Sequence, residues 1–351
     1  MMSAFLKIID GRSPLLWPVR LLLWLLSGPY RLVILWRNSR FDRGHRVVHA
    51  GVPVISIGNL TTGGTGKTPM VRYVAQWLRD CGIRVTLLSR GYGAEQGKPN
   101  DEALELERRL PDVPHLQNPS RVESATVAVE EFAAQMLLLD DGFQHRFLAR
   151  DLDIVLIDAT CPFGFSNLLP AGLLREPVSS LARADFVIIT RTDRVDTDTL
   201  ANIRTVIRNA NAQIPMAEFA HDVEGLENYS GTVIPCSELV GKKVLMFSGI
   251  GNHEAFRQLL TSQGIQIAGE LEFKDHHHFD REDIESIVKQ AQQYSVDAII
   301  CTMKDLVKIQ VDRLRNVPLW ALSVGLTPTV GKAELDQALG RIVNLVELDD
   351  S

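Results

Sequence analysis

The segment Gly58-Asn-Leu-Thr-Thr-Gly-Gly-Thr-Gly-Lys-Thr68 follows the short apolar run Val52–Ile57 and precedes a helical pattern over Pro69–Asp80. A loop of small residues that opens a helix can aim consecutive backbone N–H groups at the oxygens of a nucleoside triphosphate. Gly63, Gly64 and Gly66 permit that approach, Lys67 reaches the outer phosphates as a cation, and Thr68 offers a hydroxyl to a magnesium ion. Thr61, Thr62 and Thr65 complete the candidate contacts. The usual spacing of such loops places a glycine where this chain has Thr61, with Gly58 upstream and the pair Gly63-Gly64 inside. A partner acid is expected at the end of another apolar strand, and Met136-Leu-Leu-Leu-Asp-Asp141 fits. It runs on into Gly142-Phe-Gln-His-Arg146, which sets two carboxylates, an amide, an imidazole and a guanidinium side by side in the chain. Asp158 and Asp193, which also follow apolar runs, are weaker alternatives.

These groups need elements that hold them at one edge of a sheet. Strand candidates at Val52–Ile57, Arg84–Ser89, Met136–Asp140, Asp153–Asp158 and Phe186–Thr190 alternate with helical or loop stretches, the order of a doubly wound, mostly parallel α/β sheet. Residues 214–236 lose that rhythm and read as an extended connection between domains. A second α/β set follows, with strands near Val244–Ser248, Ala298–Thr302 and Leu319–Ser323 and helices near Glu254–Gln263, Asp280–Gln293 and Lys332–Val346. The expected organisation is a helical segment over 1–37, a nucleotide-binding domain over 38–213, the connection over 214–236 and a smaller α/β domain over 237–351. Both domains are expected as α/β/α layers.

A chain of 351 residues exceeds one modest core, and 45% hydrophobic with 23% charged residues excludes a disordered, collagen-like or polytopic membrane protein. The net charge of −6 argues against general nucleic-acid binding, yet it is unevenly spread. Residues 1–50 carry eight basic side chains and two acidic ones, +6, which leaves −12 on the remainder. Trp17, Trp24 and Trp36 lie in the same basic stretch. Ser13-Pro14 reads as a helix start, and the apolar run Leu15–Leu26 is expected to stop at Ser27-Gly28-Pro29 before a second run, Leu32–Trp36. Arg20 and Arg31 interrupt the roughly 20 uncharged residues a spanning helix needs. Leucines flanked by tryptophans and arginines suit a helix lying at a lipid interface. Cys81, Cys161, Cys236 and Cys301 are far apart, form no C-x-x-C pair, and read as reduced, small buried hydrophobes of a cytosolic protein.

Taken in order, Ser56-Ile-Gly-Asn-Leu-Thr-Thr-Gly-Gly-Thr-Gly-Lys-Thr-Pro69, Ser89-Arg-Gly-Tyr-Gly93, Asp140-Asp-Gly-Phe-Gln-His-Arg146, Leu168-Leu-Pro-Ala-Gly-Leu-Leu-Arg-Glu176, Phe247-Ser-Gly-Ile-Gly251, Asp275-His276 and Lys304-Asp305 resemble the tetraacyldisaccharide 4'-kinases, nearly end to end. The resemblance implies a P-loop NTPase-like first domain and transfer of the γ-phosphoryl group of ATP, with Mg2+, to the 4'-hydroxyl of a tetraacylated glucosamine disaccharide 1-phosphate. The product would be lipid IVA, a precursor of lipid A and lipopolysaccharide. It places the acceptor of the hydroxyl proton at Asp101, in Asn100-Asp101-Glu102-Ala103, where both flanks differ from the family's usual glycine and proline. It pairs that acid with His276 of the second domain, a combination suited to base catalysis. Gln144 is implied near the magnesium or nucleotide, and Arg175 with Glu176 near the phosphates and metal. The ligand set for Mg2+ then reads Thr68, Asp140, Gln144 and Glu176, and Asp141 joins the catalytic residues. Arg90, Arg121 and Arg146 are open candidates for the substrate's 1-phosphate or for the nucleotide. His277 and His278 are expected as loop or surface residues, since three consecutive histidines rarely point at one metal.

The N-terminal segment resembles the family's membrane-associating helix, which implies the cytoplasmic face of the inner membrane. No nucleic acid and no obligate protein partner are expected. The competing reading is a membrane-recruited P-loop ATPase switch or assembly factor acting on a protein partner. A third is a soluble small-metabolite kinase or ligase with an incidental apolar N-terminus.

Overall fold

The computed structural model describes Ile9 and residues 14–91, 101–275 and 277–349. In chain order, a long helix α1 (Trp17–Asp42) is followed by β1 (Val54–Asn59), α2 (Lys67–Asp80), β2 (Val85–Ser89), α3 (Asp101–Arg109), β3 (His115–Gln117), α4 (Arg121–Glu130), β4 (Met136–Asp140), β5 (Leu152–Asp158), β6 (Phe186–Thr190) and α5 (Thr197–Ala210). Then come β7 (Met216–Glu227), β8 (Val233–Ile234), β9 (Lys243–Ser248), α6 (His253–Ser262), β10 (Gln266–Glu272), α7 (Arg281–Tyr294), β11 (Ala298–Thr302), α8 (Met303–Ile309), β12 (Arg313–Leu314), β13 (Val317–Val330) and α9 (Lys332–Asp349). The chain divides into two compact units: residues 1–91, 112–221 and 326–351 form one, residues 92–111 and 222–325 the other. The chain passes from the first unit into the second along β7 and returns along β13.

In the first unit the strands lie in the order β7-β6-β5-β1-β4-β2-β3, with parallel pairing throughout. β1, β2, β4, β5 and β6 are buried at every position, which is why they read as unbroken apolar runs in the sequence. β1 sits between β4 and β5, so the loop after it emerges from the middle of the sheet's carboxyl edge. Ligands bind at that edge in open α/β sheets. α2 buries Met70, Val71, Val74, Ala75 and Leu78, the stripe expected of a helix lying on a sheet. In the second unit β10-β9-β11-β13 are again parallel, and β12 adds antiparallel to β13. Phe247, Ile299, Leu306 and Leu319 lie in one core cluster of that unit, and Met246, Leu260 and Ile300 in another.

α1 differs from the sequence expectation. It does not stop at Ser27-Gly28-Pro29 but runs unbroken across them. Pro29 removes one helical hydrogen bond and crowds the preceding turn, a cost of about 3 kcal/mol in a helix interior. Tertiary contacts offset it: Ser27 Oγ donates to the Leu168 carbonyl at 3.1 Å and Tyr30 Oη to the Arg175 carbonyl at 2.9 Å, one on each side of the proline. Ser13, the expected cap, lies outside the described residues. Among the described residues α1 is the one helix long and apolar enough to cross a membrane. Its leucines and tryptophans are mostly exposed, whereas Ile34, Asn38 and Phe41 are buried on the opposite stripe. Cys236 and Cys301 are buried as expected of small apolar residues; Cys81 instead lies exposed just after α2.

Candidate active site

The phosphate loop is built by the end of β1 and the start of α2. Gly63 and Gly66 adopt φ +116° and +84°, conformations that L side chains rarely take, and Gly66 opens α2 as its N-cap. The loop is braced from three sides. Asn59 Nδ2 donates to Thr65 Oγ1 at 3.0 Å, Thr190 Oγ1 at the end of β6 donates to the Thr65 carbonyl at 2.9 Å, and the Leu173–Arg175 segment adds Thr62 N–H to Leu173 O and Arg175 N–H to Leu60 O. Thr61 and Thr65 are buried in this frame. Gly58 leaves room for the neighbouring turn, since a Cβ there would stand 2.6 Å from the backbone nitrogen of Phe143.

Around that loop the expected residues of the first unit converge. Asp140 closes β4 in register with Ile57 of β1 and is buried. Asp141 turns the chain at φ +53° and presents its carboxylate to two cations: Lys67 Nζ at 3.5 Å and Arg175 Nη1 at 2.8 Å. Burial pushes the Asp141 carboxyl up, but Lys67 and Arg175 outweigh it and hold it below the usual carboxylate range. Gln144 is fixed at both ends of its amide, donating to the Asn59 carbonyl at 2.9 Å and accepting from Arg175 Nη1 at 3.3 Å. His145 stays neutral at physiological pH: burial, then Arg121, Arg150, Arg37 and Arg90, lower it to about 4.

Four sequence candidates stand differently. Glu176 is wholly enclosed, with Asn38 Nδ2 at 2.7 Å and Arg183 Nη1 at 2.9 Å from one carboxylate oxygen and Arg183 Nη2 at 3.0 Å from the other. Asp158 closes its own turn by accepting from Thr160 and pairs with Arg191, and Asp193 accepts from the His221 backbone N–H. Arg121 is 5% exposed at the start of α4, its Nε has no acceptor, and burial lowers its pKa despite the nearby Asp141. A buried donor left without an acceptor is costly unless an anion joins it.

Magnesium prefers oxygen donors, takes few of them from the protein and keeps the rest as phosphate and water. The Thr68 hydroxyl and the Asp140 carboxylate, both at the carboxyl edge beside the loop, are donors of that chemistry. Glu176, already bonded to Asn38 and Arg183, fits less well.

In the second unit Asp101 opens α3 and pairs with Lys308 Nζ at 2.7 Å. His276 lies outside the described residues. His277 lies in a loop, as expected, but is held there: its ring stacks on Phe273 at 4.9 Å, edges onto Phe279 and bonds Asp283 at 2.7 Å. His278 is exposed, as expected.

Sequence reasoning missed the residues of α1 that reach this machinery. Arg37 donates to the Gln144 carbonyl, Asn38 bonds Glu176, and Arg146 bridges back to the Asn38 carbonyl and Asp42. Their signal was the spacing Ser27, Tyr30, Ile34, Asn38, Phe41, one polar-to-aromatic stripe on an otherwise apolar helix.

A glycine-cradled loop between a central parallel strand and a helix, with a lysine, a strand-end acid pair and an arginine around it, defines a P-loop phosphotransferase of the α/β class. The family model of tetraacyldisaccharide-1-P 4'-kinases matches residues 19–344, and the chain belongs to that family. Among its relatives, the tetraacyldisaccharide 4'-kinase of Anaeromyxobacter sp. (strain Fw109-5) is 36% identical over 350 residues, covering 95% of this chain and 93% of the relative. That of Halothermothrix orenii is 33% identical, covering 92% of each chain. A crystal structure of LpxK from Aquifex aeolicus in complex with ATP is similar at 30% identity with a TM-score of 0.75, covering 92% of this chain and 99% of that one.

Proposed function

We propose that this chain transfers the γ-phosphoryl group of ATP to the 4'-hydroxyl of a tetraacylated glucosamine disaccharide 1-phosphate, forming lipid IVA in lipid A biosynthesis. The observation that carries the reading is the convergence of Lys67, Asp141, Arg175 and Gln144 on the phosphate loop, in a chain of the 4'-kinase family. In phosphoryl transfer the protein mainly positions the reactants and stabilises charge. The backbone N–H groups of residues 63–66 cradle the phosphates, and Lys67 leaves Asp141 for the outer phosphate oxygens when nucleotide enters. Arg175, held by Asp141 and Gln144, then faces the charge that develops on the transferred group. Thr68 and Asp140 would hold Mg2+, whose charge would offset that of the phosphates. Asp141 and Gln144 hold the arginine in place, and Asp101 with His276 takes the hydroxyl proton.

The membrane part of the reading rests on α1. Trp17, Trp24 and Trp36 are 61%, 57% and 63% exposed, among leucines that are mostly exposed, with Arg31, Arg40 and Arg43 exposed beside them. Such a helix lies in the headgroup region of an anionic leaflet, with arginines at the phosphates. The cytoplasmic face of the inner membrane supplies both ATP and the lipid acceptor.

Incubation of the purified chain with γ-labelled ATP and the lipid acceptor in mixed micelles tests the reading. Label in the lipid product is expected, lost in Lys67→Ala. ATP hydrolysis without labelled lipid, appearing only when a protein partner is added, would overturn it in favour of an ATPase switch.

A further inference from the structure

Helix α8 carries two lysines one turn apart, Lys304 and Lys308, and α3 carries Asp101, Glu102 and Glu105 along its first turns. The helices face each other within the second unit, with Leu104 of α3 packed on the cluster that holds Leu306 and Val307 of α8. Two ion pairs result, and they are unequal. Lys304 meets Glu102 at 3.2 Å with both side chains substantially exposed, 30% and 41%. Lys308 meets Asp101 Oδ2 at 2.7 Å with the side chains 8% and 12% exposed. A pair open to water contributes little, whereas a desolvated one fixes the geometry of both partners and is costly to break.

Lys308 has a second bond. Its Nζ donates to the carbonyl of His277 at 3.0 Å, and His277 is itself immobilised by Phe273, Phe279 and Asp283. One ammonium therefore ties the start of α3 to the chain segment that follows His276 in sequence. α8 is in turn anchored beneath it: Thr302 caps its start, and Asp305, fully buried, accepts from Thr302 Oγ1 at 2.6 Å and from the Gly249 N–H at 3.2 Å. Among the described residues, the charged groups near Asp101 include Lys308 and Lys304 from α8 and, on its own helix, Glu102 and Glu105. Asp305 stands behind the lysines, and His277 contributes only its carbonyl to Lys308.

We infer that Lys308 is a positioning residue for the proposed proton acceptor: it keeps the Asp101 carboxylate ionised, fixes its rotamer through Oδ2, and ties it to the His277 loop. This rests on the assignment of Asp101 to the proton-transfer step. An unpartnered carboxylate in the same place would be held back from ionising by desolvation and by Glu102 and Glu105. A base must be ionised to act, so loss of the lysine moves the acidic limb of turnover toward higher pH.

The test is a double-mutant cycle with pH–rate profiles on the full-length chain in mixed micelles. Lys308→Met is expected to lower kcat on the order of tenfold to a hundredfold, at or below the low end of what a positioned acid–base group itself contributes, with KM for ATP unchanged. It should also raise the acidic limb of kcat by about one pH unit or more, an effect of the size of a lost neighbouring charge. Lys308→Arg, which keeps the charge, should restore the limb, and Lys308→Gln, which keeps a donor without the charge, should not. In an Asp101→Asn background Lys308→Met should cost nothing further in kcat. An unmoved acidic limb in both neutral variants, or an equal loss with and without Asp101, would overturn the inference while leaving Asp101 in place. Wild-type turnover in Asp101→Asn would instead remove the assignment on which it stands. If Lys308→Met does not fold, the arginine and glutamine pair decides alone.

Discussion

Replacing Asn38 by leucine separates an anchor from a structural part of the catalytic site. Asn38 is 9% exposed, and its Nδ2 bonds Glu176 Oε2 at 2.7 Å, while Glu176 is 0% exposed. A hydrogen bond to a charged group contributes roughly 1.5–3 kcal/mol, and leucine removes it at nearly constant volume. The same substitution leaves the Glu176–Arg183 pair short of one donor. A fall in unfolding free energy of about 1.5–3 kcal/mol is therefore expected, read from denaturant midpoints. Glu176 adjoins Arg175, which holds Asp141 at 2.8 Å and, through its N–H, the Leu60 carbonyl at 2.7 Å. A shift of Glu176 is thus passed to the arginine and to the phosphate loop, and displacement by ~1 Å at such a site costs on the order of a hundredfold in rate. Turnover in detergent micelles, where membrane recruitment plays no part, should fall at least tenfold, with KM for the lipid little changed. Wild-type micellar turnover in Asn38→Leu, with loss confined to vesicle binding, would refute the reasoning and leave α1 as an anchor alone.

Arg121→Met removes a buried guanidinium whose Nε has no acceptor, so thermal stability should hold or rise while turnover falls; a lower Tm with intact turnover would show that the arginine serves the fold instead. Substituting Trp17, Trp24 and Trp36 together by alanine should weaken co-sedimentation with anionic vesicles more than tenfold and leave micellar turnover within a factor of two or three, since exposed interfacial indoles contribute to partitioning and not to the loop. The neutral, half-buried His145, lowered to about 4 from 6.5, makes stability pH-dependent in a definite direction. Its folded pKa lies below its unfolded one, so the unfolded chain binds the extra proton between about 6.5 and 4, and stability falls as pH drops through that window. His145→Leu should narrow the difference between urea midpoints at pH 7 and pH 5 by the equivalent of roughly 1–2 kcal/mol, a figure reduced for the ring's partial exposure; an unchanged difference would show that the ring is not desolvated.

The central strands were legible because they are buried on both faces. Met136–Asp140 and Phe186–Thr190 lie where their apolar runs predict, and β1 and β5 differ from expectation only at their ends. The phosphate loop was legible because its chemistry forces a local pattern, glycines where φ is positive followed by Lys67-Thr68. What stayed hidden depends on partners distant in sequence. Gly28-Pro29 reads as a stop, yet Ser27 and Tyr30 find acceptors at Leu168 and Arg175 and the helix continues. Nothing near Glu176 in the chain shows that its oxygens are occupied by Asn38 and Arg183. His277 and Lys308 carry no local mark of the aromatic stack and buried ion pair they join.

On the proposed membrane reading of α1, the surplus of positive charge in residues 1–50 has two destinations, and only one is the lipid surface. Arg37 is half-buried and donates to the Gln144 carbonyl, so it completes a loop of the active site. Arg31, Arg40 and Arg43 are exposed, with Arg40 laid over the ring of Trp36 at 5.0 Å. Juxtamembrane basic residues each contribute about 1 kcal/mol near an anionic surface, so the full count overstates the attraction. The two sets should then separate by salt. Arg31→Gln and Arg43→Gln should each weaken vesicle binding at low ionic strength, an effect that fades as salt is added. Arg37→Gln should cut micellar turnover at every ionic strength, because the contact it removes is a hydrogen bond within the protein. A salt-dependent loss in Arg37→Gln confined to vesicles would return that arginine to the membrane face, and with it the reading of α1 as a helix that both seats the enzyme and braces its site.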